Sequence, residues 1–295
     1  MSDSKSVLRI TEAQLAMLDV EQREWSESIC FIAYGVRVGI RANRKGVLKH
    51  VLSHLPPGWK PSRPRKVDRL YSFLIGVNES PGRRRGLNVL YADDNRIASA
   101  RSLDQAIDAF ESDLQLFVAD TSPRRVFIHA GVVAVQGKAV VIPGRSFSGK
   151  TSLVAALVKA GAIYYSDEYA VIDDKGLVHH YARPLSIRED GYLGKAKRYQ
   201  VEALGGRAGA KPLPVGLVVV STYKSGARWR PRGLSAGEGA LELMANTVSA
   251  RRQPKAMLSA IRKVVSLAPV LKGNRGETDQ VVDFIFKKLD VPQAL

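Results

Sequence analysis

Little in this chain points away from a reduced, aqueous compartment. Its 295 residues hold one cysteine, Cys30, so no internal disulfide can form and a reducing cytoplasm is expected. Cys30 sits in the apolar run ICFIAYGV and reads as a small buried hydrophobe. No apolar run approaches the ~18 residues of a membrane span, so no membrane partner is expected. The opening stretch, MSDSKSVLRITEAQLAML, lacks the apolar centre and small-residue cleavage pattern of a secretory signal. Aromatic residues make up 7% of the chain, and no aromatic-plus-basic strand motif of the RNA-reading kind occurs, which disfavours nucleic acid without excluding it. Repeats and low-complexity segments are absent.

Acidic residues are also scarce. There are 28 against 45 lysines and arginines, a formal net charge of +17. The excess is uneven: Met1–Ser122 carries 18 basic and 15 acidic residues, whereas Pro123–Leu295 carries 27 and 13. A basic surface of this kind is either simply solvated or a cleft for anions such as a nucleotide, an acidic peptide or nucleic acid.

Residues 1–122 read as a small α+β domain without a chemical motif. SICFIAYGVRVGIRA gives a strand, a glycine turn and a strand, with Val36, Val38 and Ile40 alternating onto one face. A short helix follows, stopped by Pro56-Pro57, then a basic loop and the strand LYSFLIGV. Arg83, Arg84 and Arg85 mark a solvated turn, and a hairpin bends at Asp94-Asn95. Ser102 caps a helix running to about Thr121. Residues 123–295 read as a second, α/β domain with a mixed sheet. RVFIHAGVVAVQGKAVVIPG forms two strands joined at Gln136-Gly137, and SLVAALVKAG a helix ended by Gly161. Short strands follow with a turn at Asp174-Lys175-Gly176, then the buried strand LPVGLVVVSTYK, helices broken near Pro254, and a terminal helix.

Between the second strand and that first helix lies GRSFSGKT, Gly144 to Thr151, which matches G-x-x-x-x-G-K-[ST]. Chance would produce the bare pattern in roughly one chain in a hundred of this size, so the context decides. A strand precedes it and a helix follows, as the P-loop requires. Glycines let the backbone wrap a phosphate closely. Inward amides and the helix N-terminus favour its charge. Lys150 supplies a point charge to the β and γ phosphates and Thr151 a hydroxyl to Mg²⁺. The expected ATP contacts are Gly144, Ser146, Ser148, Gly149, Lys150, Thr151 and Ser152.

An acidic pair, Asp167-Glu168, arrives about 17 residues after Lys150, one helix and one strand later. A carboxylate on the strand beside the loop can hold Mg²⁺ or accept a proton from an attacking hydroxyl. His129 lies on the strand before the loop, where the hairpin can bring it to the phosphate. His179 and His180 face opposite ways on one strand and read as structural, and Asp173 and Asp174 as turn residues.

The run HAGVVAVQGKAVVIPGRSFSGKTSLVAALVKAGAIYYSDEYAVI resembles the HPr kinase/phosphorylase-like serine kinases, a superfamily with a phosphoenolpyruvate-carboxykinase-like catalytic fold. The resemblance covers about Arg125 to Ile187. It implies that Lys150 binds phosphates, Thr151 the metal, and Asp167 acts as general base. Glu168 assists the metal, and His129 lies near the transferred phosphate. The second acid here is Glu168, where those kinases usually carry aspartate. Their later glycine-rich signature has no counterpart; RPLSIRED stands there, with Arg183 and Arg188 as anion contacts or surface ion pairs. Three readings are open. The first is an ATP- and Mg²⁺-dependent kinase of a hydroxyl, serine by resemblance, on a protein or peptide. The second is a kinase of a small-molecule or nucleic-acid hydroxyl. The third is a nucleotide-binding regulator that transfers nothing. Oligomer formation is frequent in the superfamily, so a homo-oligomer is open too.

Overall fold

A computed structural model describes residues 24–64, 66–77, 86–144, 148–188 and 196–290. Arg83, Arg84, Arg85, the N-terminal stretch and, within the loop, Arg145, Ser146 and Phe147 lie outside the described residues. The chain divides into two compact units, 1–115 and 116–295. The division falls inside a helix, a few residues before the boundary at 122/123 read from sequence.

The first unit is a six-stranded sheet carrying one long helix. Its elements are β1 (Glu27–Ala33), β2 (Val36–Ala42), α1 (Val47–Val51), β3 (Lys60–Pro61), β4 (Arg69–Val77), β5 (Leu87–Ala92), β6 (Asn95–Ala100) and α2 (Leu103–Thr121). The sheet order is β3-β1-β2-β4-β5-β6. Strands β2 and β4 run parallel and the other neighbours antiparallel. Tyr34 and Gly35 both have positive φ, 51° and 87°, the geometry that lets a two-residue turn follow the twist of its strands. Ser102 Oγ accepts the Gln105 N–H at 3.2 Å, capping α2. Ala106, Ile107, Phe110 and Leu114 recur at helical spacing and are buried. Phe110 meets Tyr71 and Phe73 edge-on, with ring centroids 4.9 and 5.5 Å away. Cys30 is only partly buried, a correction to the sequence reading. Gly39 lies directly across the ladder from it, and a glycine has no side chain with which to cover the sulfur.

The second unit contains β7 (Val126–Val135), β8 (Lys138–Pro143), α3 (Lys150–Lys159), β9 (Ile163–Ser166), β10 (Tyr169–Ile172), β11 (Leu177–His179), β12 (Leu185–Arg188) and β13 (Ala196–Tyr199). These are followed by β14 (Leu213–Tyr223), β15 (Arg232–Leu234), α4 (Ala236–Met244), α5 (Pro254–Leu267), β16 (Val270–Arg275) and α6 (Asp279–Asp290). The main sheet runs β11-β10-β7-β8-β14-β16-β15, with β9 added on β7. Strand β11 also pairs with β14, so β10, β7, β8, β14 and β11 form a closed ring. Strands β8, β14 and β16 are parallel and leave their C-terminal ends together.

Alternation along these strands serves two cores. Val140, Ile142, Leu217 and Val219 pack with Leu153 and Leu157 of α3 and Val281 and Ile285 of α6. Ala139, Val141, Val218 and Val220 pack with Leu243 of α4 and Met257, Ile261 and Val264 of α5. A central strand buried on both faces reads as a continuous apolar run, which is why AVVI and VVV carry no visible alternation. Helix α3 sits close on β7: a β-carbon on Gly131 would stand 2.5 Å from Val154 Cγ2. That approach fixes how α3 lies against β7. Among the described residues, no helix is long and apolar enough to cross a membrane.

Candidate active site

The loop leaves β8 at its C-terminal end and enters α3 through Gly149, whose φ of 82° lies in the left-handed region. A β-carbon on Gly144 would stand 2.7 Å from Ser148 Oγ and 3.3 Å from Ser148 Cβ, so a side chain there would crowd Ser148. Ser148 Oγ is buried and has no hydrogen-bond partner among the described residues. Lys150 opens the helix, and Thr151 and Ser152 follow in its first turn, Ser152 exposed. Ser146 lies outside the described residues.

The acidic pair occupies the tight turn between β9 and β10. Ser166 Oγ accepts the backbone N–H groups of Glu168 and Tyr169 at 3.1 and 3.0 Å, which shapes the turn. Asp167 is 8% exposed. Its Oδ2 accepts from Thr151 Oγ1 at 3.4 Å, and its Oδ1 lies 2.9 Å from the Tyr164 hydroxyl. That hydroxyl is also 2.8 Å from the Arg183 carbonyl, so one phenol proton serves two acceptors. The Ser186 N–H adds a further bond to the carboxylate. Burial nonetheless outweighs these donors and raises the Asp167 pKa above the usual aspartate range. Glu168 keeps access to solvent. The protein packed around its carboxyl, then the Asp167 charge, push its pKa up, with Lys150 opposing. Burial lowers the Lys150 pKa, and the two carboxylates resist the shift.

His129 stands opposite Tyr169 in the β7–β10 ladder, their rings 4.8 Å apart. Its carbonyl accepts the Gly144 N–H at 3.2 Å, tying β7 to the start of the loop. Burial and the nearby Lys150 charge hold its pKa below the ordinary value, against a hydrogen bond to the Glu168 carbonyl. The neutral imidazole is the form these surroundings favour. The topology thus brings His129, Gly144, Lys150, Thr151, Asp167 and Glu168 to one end of β7 and β8.

Other residues sort differently. Burial and neighbouring Arg198 push the Arg183 guanidinium down to about 10. Arg188 ends β12, and its side chain lies outside the described residues. Asp173 accepts the Lys175 and Leu177 N–H groups and lies 2.8 Å from His179 Nε2, a turn brace. A cleft of about 520 Å³ lined by Arg124, Arg125, Asp173 and Asp174 lies elsewhere. Its walls Val126 and Ile172 pair at the far end of β7 and β10 from His129 and Tyr169.

Sequence reasoning missed Arg275. It ends β16, is 3% exposed, and donates from Nη2 to the Gly149 carbonyl at 2.9 Å and from Nη1 to the Gly276 carbonyl at 3.0 Å. Its stretch, KGNRGETD, has no periodicity or motif to single it out; only a partner 126 residues away does.

No protein-family model matches the chain, and no curated protein matches it. Among solved structures it is similar to the HPr(Ser) kinase/phosphatase from Coxiella burnetii at 13% identity, over 55% of this chain and 94% of that one. The TM-score is 0.31, too low for the likeness to bear on mechanism.

Proposed function

We propose that residues 123–295 form an ATP- and Mg²⁺-dependent kinase domain that moves the terminal phosphoryl group to a hydroxyl. A serine on a protein or peptide is the acceptor that the sequence resemblance favours. One observation carries the reading: Thr151 Oγ1 stands 3.4 Å from Asp167 Oδ2 at the mouth of a glycine cradle, with Lys150 in electrostatic reach of both acids.

The donor set fits magnesium. A hydroxyl and a carboxylate in contact are hard oxygen ligands, and Mg²⁺ takes few protein ligands while keeping phosphate and water. Among the described residues no group of three or more His, Cys, Asp or Glu side chains could hold a metal alone, which suits an ion that arrives with the nucleotide. Bound there, Mg²⁺ supplies neutralisation of phosphate charge.

The two acids divide the remaining work by exposure. Asp167 is enclosed and already accepts from Thr151, so it serves the metal side. Glu168 faces solvent and has a raised pKa, so it is the base an incoming acceptor can meet. This reverses the division implied by the resemblance. The acceptor oxygen forms a bond to the terminal phosphorus as its proton passes to the Glu168 carboxylate. The bond from that phosphorus to the bridging oxygen breaks, and ADP leaves. Lys150 and the loop amides hold the phosphates, and neutral His129 braces the acidic turn through the Glu168 carbonyl.

The test uses γ-labelled ATP, Mg²⁺ and a serine-containing peptide library. Glu168→Gln should keep ATP binding and lose transfer by about 10²- to 10⁴-fold. Asp167→Asn should move half-maximal activity to higher Mg²⁺. The rate of the unmodified chain should fall on acidification at a pH above the ordinary glutamate value of ~4.3. Transfer at the normal rate by Glu168→Gln would remove the base assignment, and unchanged ATP affinity in Lys150→Ala would remove the loop's role.

A further inference from the structure

The acids occupy one flank of the loop only. In the order β10-β7-β8-β14-β16 they lie on the β7 side, and the ends of β14 and β16 form the other flank. There Tyr223 and Arg275 are direct partners in the parallel register. The Arg275 guanidinium lies 5.4 Å from the Tyr223 ring centroid. It is buried; two of its nitrogens hold the Gly149 and Gly276 carbonyls, and its Nε has no partner among the described residues. The Tyr223 hydroxyl donates to Glu277 Oε1 at 3.1 Å. Held at its hydroxyl and with a cation over one face of its ring, Tyr223 is still 48% exposed. The other large hydrophobic side chains exposed among the described residues, Leu116, Leu241, Leu258 and Leu267, lie on helices α2, α4 and α5. Tyr223 alone of these five stands at the loop, its Cβ 4.0 Å from where a Gly149 β-carbon would be.

We propose that the open face of Tyr223 is the platform for the base of a nucleoside triphosphate, with Arg275 positioning both the ring and the Gly149 carbonyl. This rests on the kinase reading above. A triphosphate seated in the loop has two ends. Its terminal phosphoryl must face Lys150 and the acids, so the nucleoside leaves across the opposite flank, over the ends of β14 and β16. A flat heterocycle arriving there meets an immobilised aromatic ring with one face free. Stacking of this kind depends on the π-face and not on base edges.

Titration calorimetry of the full chain with Mg²⁺ separates the platform from the loop, using ATP and inorganic tripolyphosphate as probes. Tyr223→Ala should weaken ATP by about 5- to 150-fold and leave tripolyphosphate within about twofold. Tyr223→Phe should keep ATP close to the unmodified chain. Intact tripolyphosphate binding doubles as the check that the Tyr223→Ala loop is folded. Equal weakening of both probes would make Tyr223 a mere prop for the loop and overturn the proposal, as would unchanged ATP affinity. If the unmodified chain binds neither probe, the phosphate reading itself fails; if it binds both and Tyr223→Ala changes neither, the platform alone fails.

Discussion

In the first unit, charged side chains meet partners that suit them. Arg37 grips Asp68 from Nη2, Nε and its backbone N–H at 2.7, 3.1 and 2.9 Å. Asp113 receives Arg69 and the Tyr71 hydroxyl at 3.0 and 2.6 Å, and Glu111 lies 2.5 Å from His54 Nδ1. The Arg37 hydrogen bonds hold Asp68 below the usual carboxylate range. In the second unit the pair beside the loop goes the other way. Asp167 and Glu168 are both pushed up, and Lys150 is pushed down. The same residue types are therefore settled in one place, and in the other their charged forms are disfavoured by burial. Groups of the first kind brace a fold. Groups of the second kind, clustered at a glycine cradle, are what a site for a highly charged ligand requires, because the ligand supplies the missing compensation.

Four changes would break or sharpen that contrast. The largest effect is expected at Lys150→Ala, which should cut nucleotide affinity and transfer by at least about 10²-fold, since it removes the point charge offered to the terminal phosphates; calorimetry and labelled-phosphate transfer measure it. Next is Gly149→Ala. A left-handed backbone costs a β-carbon about 1–2 kcal/mol, and Arg275 Nη2 stands 2.3 Å from where that carbon would go. Chemical denaturation should show the loss, and ATP affinity should fall with it.

A smaller effect, opposite in sign, is expected from Asp167→Asn without ligand. The folded chain binds the Asp167 proton more tightly than the unfolded chain does, because its folded pKa is raised. The ionised residue therefore costs stability at pH 7 to 8, and the cost disappears below the unfolded value of ~3.9. Asp167→Asn should melt above the unmodified chain at pH 8, with the advantage gone near pH ~4. Asp68→Asn should do the reverse, and least. Its lowered folded pKa contributes stability above the unfolded value that is lost as pH falls through the folded one. A slightly reduced melting temperature at pH 7 should converge with the unmodified chain in strong acid. If the two asparagine variants shift melting in the same direction at pH 8, the contrast between the units is lost.

The local chemistry of the chain was readable one residue at a time. Gln136-Gly137 turns β7 into β8 with φ of 50° and 72°, as a polar-glycine pair between apolar runs foretells. Gly161, at φ 103°, ends α3 as a C-terminal glycine should. The G-x-x-x-x-G-K-T pattern and the acids that follow it are visible in the sequence because their spacing is short. Short strands were harder. VLKGNR forms β16 and RGL forms β15, yet neither shows enough alternation to be recognised alone, since their pairing with β14 and with each other supplies the stability.

By itself, then, the sequence determined the glycine-rich loop that ends in Lys150 and Thr151, the order of acid after lysine, and the hairpins and helices whose signals lie within a dozen residues. Tertiary structure decided which groups share the loop. It alone brought Arg275 and Tyr223 to one flank, enclosed Asp167 while leaving Glu168 open, and joined β11 to β14. The reason is physical: burial and pairing across more than a hundred residues depend on the packed sheet, and no local pattern encodes them.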